Sequence, residues 1–115
     1  MTSAATVRTS RSPATWSVVS PTGDLDIAAL PDLRGLLHPH LVDPSRDVVV
    51  VDLTHVTFMD CSALGILMGA RARLGGRLWL RGVPPSVAWL LQLTGLQDVF
   101  GRFDEPLLAL RSVDA

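Results

Sequence analysis

The feature that most constrains the fold is the apolar run VVVVDL at residues 48–53. A short run that is rich in β-branched residues is typical of a strand buried on both faces of a sheet. Downstream, Leu64 and Leu67 follow the spacing of a helix, which we expect to begin at Ala63. Residues 60–62 form a polar turn between the two elements, so the chain places a hydroxyl group at a strand-to-helix junction.

Strand and helix patterns alternate along the rest of the chain. Alternating apolar residues predict further strands at 5–10, 14–20, 77–81 and 99–103. Helical spacing predicts helices that begin near Pro31 and after Pro84, and a last helix at 106–111. The expected order β-β-α-β-α-β-α-β-α indicates an α/β fold with a mixed, mostly parallel sheet and right-handed crossovers.

A proline at position 39 conflicts with the first of these helices. A proline inside a helix costs about 3 kcal/mol, and it disfavours the helical conformation of the preceding residue, His38. We therefore expect this helix to be short or kinked.

Length and composition describe a single domain. The chain has 115 residues, of which 48% are hydrophobic and 18% are charged, so residues 1–115 can fold around one core, with flexible termini expected at 1–4 and 112–115. A net charge of -1 offers no attraction for nucleic acid or an anionic membrane, and no apolar run is long enough to insert across a bilayer. A single cysteine and the lack of a signal-peptide pattern favour the cytoplasm.

Two interpretations of Ser62 stay open on the residues alone. Either Asp60 or Ser62 can cap the helix by accepting a hydrogen bond from a free N–H group of its first turn. Alternatively, Ser62 accepts a phosphoryl group, whose negative charge the positive end of the helix dipole would stabilise.

Other candidate reactive groups have weaker support. Cys61 lies beside a helix N-terminus, where a thiol can become a nucleophile, but no histidine has a recognisable spacing to it, and we favour a small packing residue. The three histidines and the cysteine form no metal-binding pattern, and no cofactor is expected. Of the two aspartates after the second strand, Asp24 is expected in a solvated turn, whereas the role of Asp26 stays open.

Three motifs occur in a fixed order along the chain: GDLD at residues 23–26, DLTHVTFMDCSALG at 52–65 and LTGLQDVF at 93–100. They resemble the motifs G-E-L-D, D-L-S-x-V-x-F-x-D-S-S-G-L-G and L-T-G-L-x-x-V-F of the STAS domain family of bacterial anti-sigma factor antagonists. The resemblance covers nearly the whole chain. It implies a single STAS-like domain whose sheet has four to five strands, with helices packed mainly on one side.

The resemblance also implies a function that is regulatory and not enzymatic. An anti-sigma factor that is also a serine kinase would use ATP to phosphorylate Ser62, and a separate phosphatase would remove the phosphate. The unphosphorylated form would bind the kinase and free a sigma factor, whereas the phosphorylated form would not. The implied partner-binding residues are Asp26, Asp60, Cys61, Ala63 and Leu64.

The sequence departs from the family pattern at two positions. Cys61 replaces the first serine of D-S-S-G, which removes an alternative acceptor. Ala63 replaces the glycine, and its methyl group is expected to narrow the close approach of a kinase backbone. The same resemblance implies an alternative function, a STAS subunit of an ABC-type lipid transport system that needs no phosphorylation cycle.

Overall fold

The computed structural model describes residues 4–7, 16–42 and 47–102. The strands among them are β1 (Ala4–Val7), β2 (Trp16–Pro21), β3 (Gly23–Leu25), β4 (Val48–Asp52), β5 (Val56–Met59), β6 (Leu78–Arg81) and β7 (Gly101–Arg102). The α-helices are α1 (Leu30–Val42), α2 (Cys61–Arg73) and α3 (Pro85–Leu93), and a short 3₁₀ helix (Ile27–Ala29) leads into α1.

Five of the strands form one sheet in the order β1-β2-β4-β6-β7. Strand β1 is antiparallel to β2, and the other neighbours in this sheet are parallel. Parallel neighbours need long crossover connections, and helices α1, α2 and α3 follow β3, β5 and β6 in the chain. The α/β fold with a mixed, mostly parallel sheet is thus confirmed.

Strand β4 is buried on both faces, as its composition predicts. Val49 and Val51 pack into the main core, which also contains buried side chains of all three α-helices. Val50 points to the opposite face, where it packs with Val18 of strand β2. This alternation follows from the twofold period of a strand, and it places the α-helices on one side of the sheet.

A second, two-stranded sheet was not expected from the sequence. Strands β3 and β5 pair in parallel, with Leu25 opposite Met59. Strand β5 lies between the expected strand at 48–53 and the polar turn at 60–62, where no element was predicted. Neither strand shows the period-two alternation that marks a strand, because β3 has only three residues and β5 places the exposed Thr57 and Phe58 side by side between two buried residues.

Helix α1 continues through Pro39 to Val42, so the expectation of a short helix is wrong. Pro39 cannot bond the carbonyl group of Gly35, but both residues are exposed and water can reach that carbonyl. Leu33 and Leu37 are buried on the opposite side of the helix. Their burial offsets the cost of the proline.

Several expectations lie outside the described residues. These are the expected turn at 11–13, the loop at 43–46, the last helix at 106–111 and the termini at 1–3 and 112–115. Of the first expected strand, residues 8–10 are also outside, while residues 4–7 form β1. None of the helices in the described ranges has the length and apolar character required to cross a membrane.

Candidate functional site

Strand β5 leads directly into helix α2, and Asp60 caps the helix at this junction. The Oδ1 atom of Asp60 accepts hydrogen bonds from the backbone N–H groups of Ser62 (3.0 Å) and Ala63 (3.1 Å). Helix α2 therefore begins at Cys61, two residues before the expected start at Ala63. The capping interpretation of the turn is correct for Asp60, whose carboxylate is the group that accepts these bonds.

The Ser62 hydroxyl group is held by the same carboxylate. Its Oγ donates a hydrogen bond to Oδ1 of Asp60 over 2.5 Å, and the Ser62 residue is half-buried. This bond, helped by those from the Ala63 and Ser62 amides, holds the pKa of the Asp60 carboxyl below its usual value, although partial burial opposes it. The hydroxyl group is thus oriented by an ionised carboxylate on the first turn of a helix.

Asp26 occupies the equivalent position at the end of the neighbouring strand. It follows β3, and its Oδ1 accepts a hydrogen bond from the backbone N–H of Ala29 over 3.2 Å, which caps the 3₁₀ helix. The backbone N–H of Asp60 donates to the carbonyl group of Leu25 over 3.2 Å. Two parallel strands therefore end side by side, each with an aspartate that caps the following helix.

The expectation that Asp24 lies in a solvated turn is wrong. Asp24 is exposed, but it belongs to strand β3, and Thr57 of the adjacent strand β5 donates its hydroxyl hydrogen bond to Asp24 Oδ1 over 2.6 Å. This bond links the two strands of the small sheet. The sequence carries no local sign of it, because the two residues are 33 positions apart.

The three residues that follow Asp60 differ sharply in exposure. Cys61 is exposed, so its assignment as a packing residue is wrong. The side chains of Ala63 and Leu64 are 0% and 3% exposed and belong to the main core. The methyl group of Ala63 therefore points into the protein and leaves the outer surface of the turn open.

Two grooves flank helix α2. The first lies between α1 and α2 and encloses about 480 Å³. We call it the basic groove, because its lining in the described part of the chain contains two arginines and no acidic residue; among these lining residues are Arg34, His38, Ser62, Gly65, Gly69 and Arg73.

The second groove lies between β5, the start of α2 and helix α3, and encloses about 590 Å³. We call it the apolar groove; its lining includes Phe58, Asp60, Cys61, Ser86, Trp89 and Leu90. Phe58 and Trp89 are 47% and 62% exposed, although both are large and hydrophobic. Exposed aromatic side chains of this kind are characteristic of binding surfaces.

Sequence analysis missed the aromatic residues of the apolar groove, although one of them carries a readable signal. Val87 and Leu91 form the buried face of helix α3. Trp89 lies midway between them, so the helical period turns it away from the core. No comparable pattern predicts the exposure of Phe58, because strand β5 itself was not expected.

A charged cluster at the end of strand β4 is structural. Asp52 is 5% exposed and pairs with Arg81 of strand β6 over 3.2 Å, while the backbone N–H of Thr54 donates to its Oδ1 over 3.0 Å. Gly82 has a positive φ of 64°, and a Cβ atom there would lie only 2.1 Å from Thr54 Oγ1. The cluster joins two neighbouring strands. In the described part of the chain, no group of His, Cys, Asp and Glu side chains could hold a metal ion.

Comparison with known proteins agrees with this architecture. A family model described as "Mlab, STAS domain" matches residues 8–109. The anti-sigma-B factor antagonist of Staphylococcus aureus (strain NCTC 8325 / PS 47) is 34% identical over 80 residues, which cover 67% of this chain and 73% of that protein. The chain belongs to the STAS domain family of anti-sigma factor antagonists. The resemblance of its three sequence motifs to this family is therefore confirmed.

Solved structures of STAS domain proteins share the fold. An anti-sigma factor antagonist from Mycobacterium paratuberculosis superposes with a TM-score of 0.77 at 24% identity, covering 100% of this chain and 96% of that one. The phosphorylated form of the Bacillus cell fate determinant SpoIIAA has a TM-score of 0.67 at 18% identity, covering 96% of this chain and 99% of that one. At these identities the likeness concerns the fold, and a protein with this fold is known in a phosphorylated form.

Proposed function

We propose that this STAS domain is an anti-sigma factor antagonist that is switched by phosphorylation of Ser62. The unphosphorylated form binds an anti-sigma factor that is also a serine kinase, and thereby frees a sigma factor in the cytoplasm. The kinase then phosphorylates Ser62 and is released, and a phosphatase restores the active form. The observation that carries the proposal is the half-buried Ser62 hydroxyl, oriented by Asp60 on the first turn of α2.

A phosphate on Ser62 would alter the surface of the junction without unfolding it. Phosphorylation adds about 1.5 to 2 negative charges, which the positive end of the helix dipole stabilises. It also removes the hydroxyl proton that Ser62 donates to Asp60. The new charge and the Asp60 carboxylate then repel each other, so a partner that fits the unmodified junction meets a different charge and shape.

The partner surface that we propose combines the paired aspartates with the apolar groove. Asp26 and Asp60 cap neighbouring helices and are half-buried, which fixes the directions of their carboxylates. Next to them, Phe58 and Trp89 offer exposed aromatic area, and such side chains carry much of the binding energy in protein interfaces. The kinase would therefore anchor on the apolar groove and reach Ser62 across the turn.

The remaining family positions would contribute in different ways. Cys61 is exposed and lines the apolar groove, so it can contact the kinase directly. Ala63 and Leu64 are buried, so they can support the partner surface only from beneath. Because the Ala63 methyl group points inward, we propose that this substitution leaves the kinase approach unobstructed.

The experiment that tests the proposal is a phosphorylation assay with the anti-sigma serine kinase of the same organism. Incubation with the kinase and ATP should add one phosphate, as measured by mass spectrometry of the intact protein. The variant Ser62→Ala should take none. The matched control is Ser20→Ala, a half-buried serine of strand β2 that is not among the residues lining either groove, and it should be phosphorylated like the wild type.

Phosphorylation that persists in Ser62→Ala would refute the assigned site. Binding of the kinase should also weaken in Ser62→Asp, and unchanged binding would refute the switch. A chain that takes no phosphate and copurifies with an ATPase–permease complex would instead support a role as the STAS subunit of an ABC-type lipid transport system.

A further inference from the structure

The basic groove concentrates positive charge on a protein whose net charge is -1. Arg34 of α1 and Arg73 of α2 both line it, and both are exposed. Neither arginine forms an ion pair within the ranges that the structure describes. The groove therefore presents two cationic groups that nothing in those ranges neutralises, which favours an anionic occupant.

The groove also offers apolar surface between its charged groups. Leu41 of α1 and Ile66 of α2 line it and are only partly buried. The lining residues Arg34, Leu37, His38 and Leu41 recur at helical spacing, so they present one face of α1 to the groove. An occupant that matches this face must carry apolar as well as acidic groups.

Two glycines keep the groove open on the side of α2. Gly65 and Gly69 line it one turn apart, and a Cβ atom at either position would meet nothing within 4 Å. Each glycine in a helix interior costs about 1 kcal/mol relative to alanine. The two glycines therefore lower the stability of helix α2 and keep space free in the groove.

We propose that the basic groove binds an acidic, amphipathic segment of a protein partner. Carboxylates of that segment pair with Arg34 and Arg73, while its apolar side chains pack on Leu41 and Ile66. The identification of this partner as the anti-sigma serine kinase rests on the proposed function. The binding chemistry rests on the groove alone.

Ser62 connects this groove to the phosphorylation cycle. It lines the basic groove at the start of α2, so a phosphate on its Oγ would add negative charge inside the groove. That charge repels the carboxylates of the bound segment at the end of the groove where Ser62 lies. Phosphorylation would therefore expel the acidic segment by electrostatic repulsion.

A nuclear magnetic resonance titration of the full chain tests this proposal. The probe is a synthetic peptide of about twelve residues that repeats Leu-Glu-Glu-Leu, long enough to lay three helical turns in a groove. Its addition should shift the amide resonances of Gly65 and Gly69 and leave that of Gly95, beyond α3, in place. The same peptide with lysine in place of glutamate should shift none of them.

Charge variants locate the interaction. Arg34→Gln should raise the Kd of the acidic peptide about fivefold, the effect of losing one exposed ion pair. The matched control Gln92→Glu changes the net charge equally on the exposed side of α3 and should leave the Kd unchanged. Ser62→Asp should also raise the Kd, whereas Ser62→Ala should not.

A variant that fills the groove provides an independent test. Gly69→Leu places a side chain in open space and should abolish the shift at Gly65, with the helical circular dichroism signal preserved. If the lysine peptide binds as well, or if Gln92→Glu weakens binding as much as Arg34→Gln, the proposal is overturned.

Other occupants would be recognised by the same resonances. Shifts at Gly65 and Gly69 on concentrating the protein alone would identify a second copy of the chain and overturn the proposal. Tighter binding of inorganic triphosphate than of the peptide would identify a small anion and overturn it as well. Phosphorylation at Ser62 without peptide binding would refute only the groove, and peptide binding without phosphorylation would refute only the proposed function.

Discussion

The two grooves beside helix α2 have opposite chemistry, although they meet at the same turn. The apolar groove exposes Phe58 and Trp89, whereas the basic groove carries Arg34 and Arg73. Asp60 lines the first and Ser62 lines the second. Asp60 lies before the helix as its extended N-cap, whereas Ser62 lies on the first turn of α2, so near neighbours in the sequence can line different surfaces.

The comparison teaches how one modification can influence two surfaces. A phosphate on Ser62 would act directly on the basic groove through charge. It would act on the apolar groove through the loss of the hydrogen bond that Ser62 donates to Asp60 and through repulsion of the Asp60 carboxylate. Apolar area supplies most of the affinity of an interface, while charge supplies more of its specificity and association rate, so the two grooves would contribute in different ways.

The largest expected effect is on kinase binding through the apolar groove. Trp89→Ala should weaken binding about thirtyfold, equivalent to about 2 kcal/mol, because a central aromatic anchor is lost. Its effect on the free energy of unfolding should stay below about 0.5 kcal/mol, since the side chain is 62% exposed. Isothermal titration calorimetry and urea unfolding measure the two quantities.

The control is Leu93→Ala, on the same helix one turn farther along. Leu93 is also 62% exposed, but it is not among the residues that line the apolar groove. Equal losses of affinity for the two variants would show that the whole helix surface, and not this groove, is the anchor.

The next largest effect concerns Asp60, where the two grooves meet. Asp60→Ala should lower the free energy of unfolding by about 1–2 kcal/mol, because the N–H groups of Ser62 and Ala63 lose their acceptor. Asp60→Asn keeps a capping oxygen and should cost much less. Urea unfolding followed by circular dichroism compares the two, and similar losses would mean that charge, not capping, stabilises the turn.

The pH dependence of stability, compared between the wild type and Asp60→Asn, separates the effect of charge from that of capping. The folded state lowers the pKa of Asp60, so its ionised form stabilises the fold above the unfolded pKa of about 4. This stabilisation is lost as the pH falls through the folded pKa. The wild type should therefore lose more stability than Asp60→Asn on acidification below pH ~4, and parallel curves would contradict the role of the carboxylate.

The smallest effects contrast the buried and open faces of α2. Ala63→Gly should lower the free energy of unfolding by about 1 kcal/mol and leave the phosphorylation rate unchanged, because the Ala63 side chain is buried. Gly69→Ala should raise the free energy of unfolding by about 0.5–1 kcal/mol, because the added methyl group meets open space. Thermal unfolding measures the change in stability of both variants. If Ala63→Gly were phosphorylated faster than the wild type, the Ala63 methyl group would obstruct the kinase after all.

Much of the fold could be predicted from local patterns. The apolar run at 48–53 predicted strand β4 with burial on both faces, and the spacing of Leu64 and Leu67 predicted helix α2. Pro39 does not shorten helix α1, because the burial of Leu33 and Leu37, which its local cost leaves out, offsets that cost. Strands β3 and β5 escaped notice, since they are short and stabilise each other only as a pair.

The candidate site was predictable in part. A capping aspartate beside a hydroxyl group can be recognised from sequence, and Asp60 indeed caps α2. The exposure of the residues that follow Asp60 could not be predicted in the same way. Cys61 is exposed and Leu64 is buried because of the strands and helices packed around them, which the turn itself does not encode.

The sequence by itself determined the α/β architecture, the strand at β4 and the turn that places Ser62 at the start of a helix. Periodicity, capping and β-branched composition are local properties, so they act wherever the chain carries them. Only the tertiary structure decided that Arg34 faces the same groove as Arg73, and Phe58 the same groove as Trp89. These pairs lie more than a whole element apart in the chain, and only the packing of helices on the sheet brings them together.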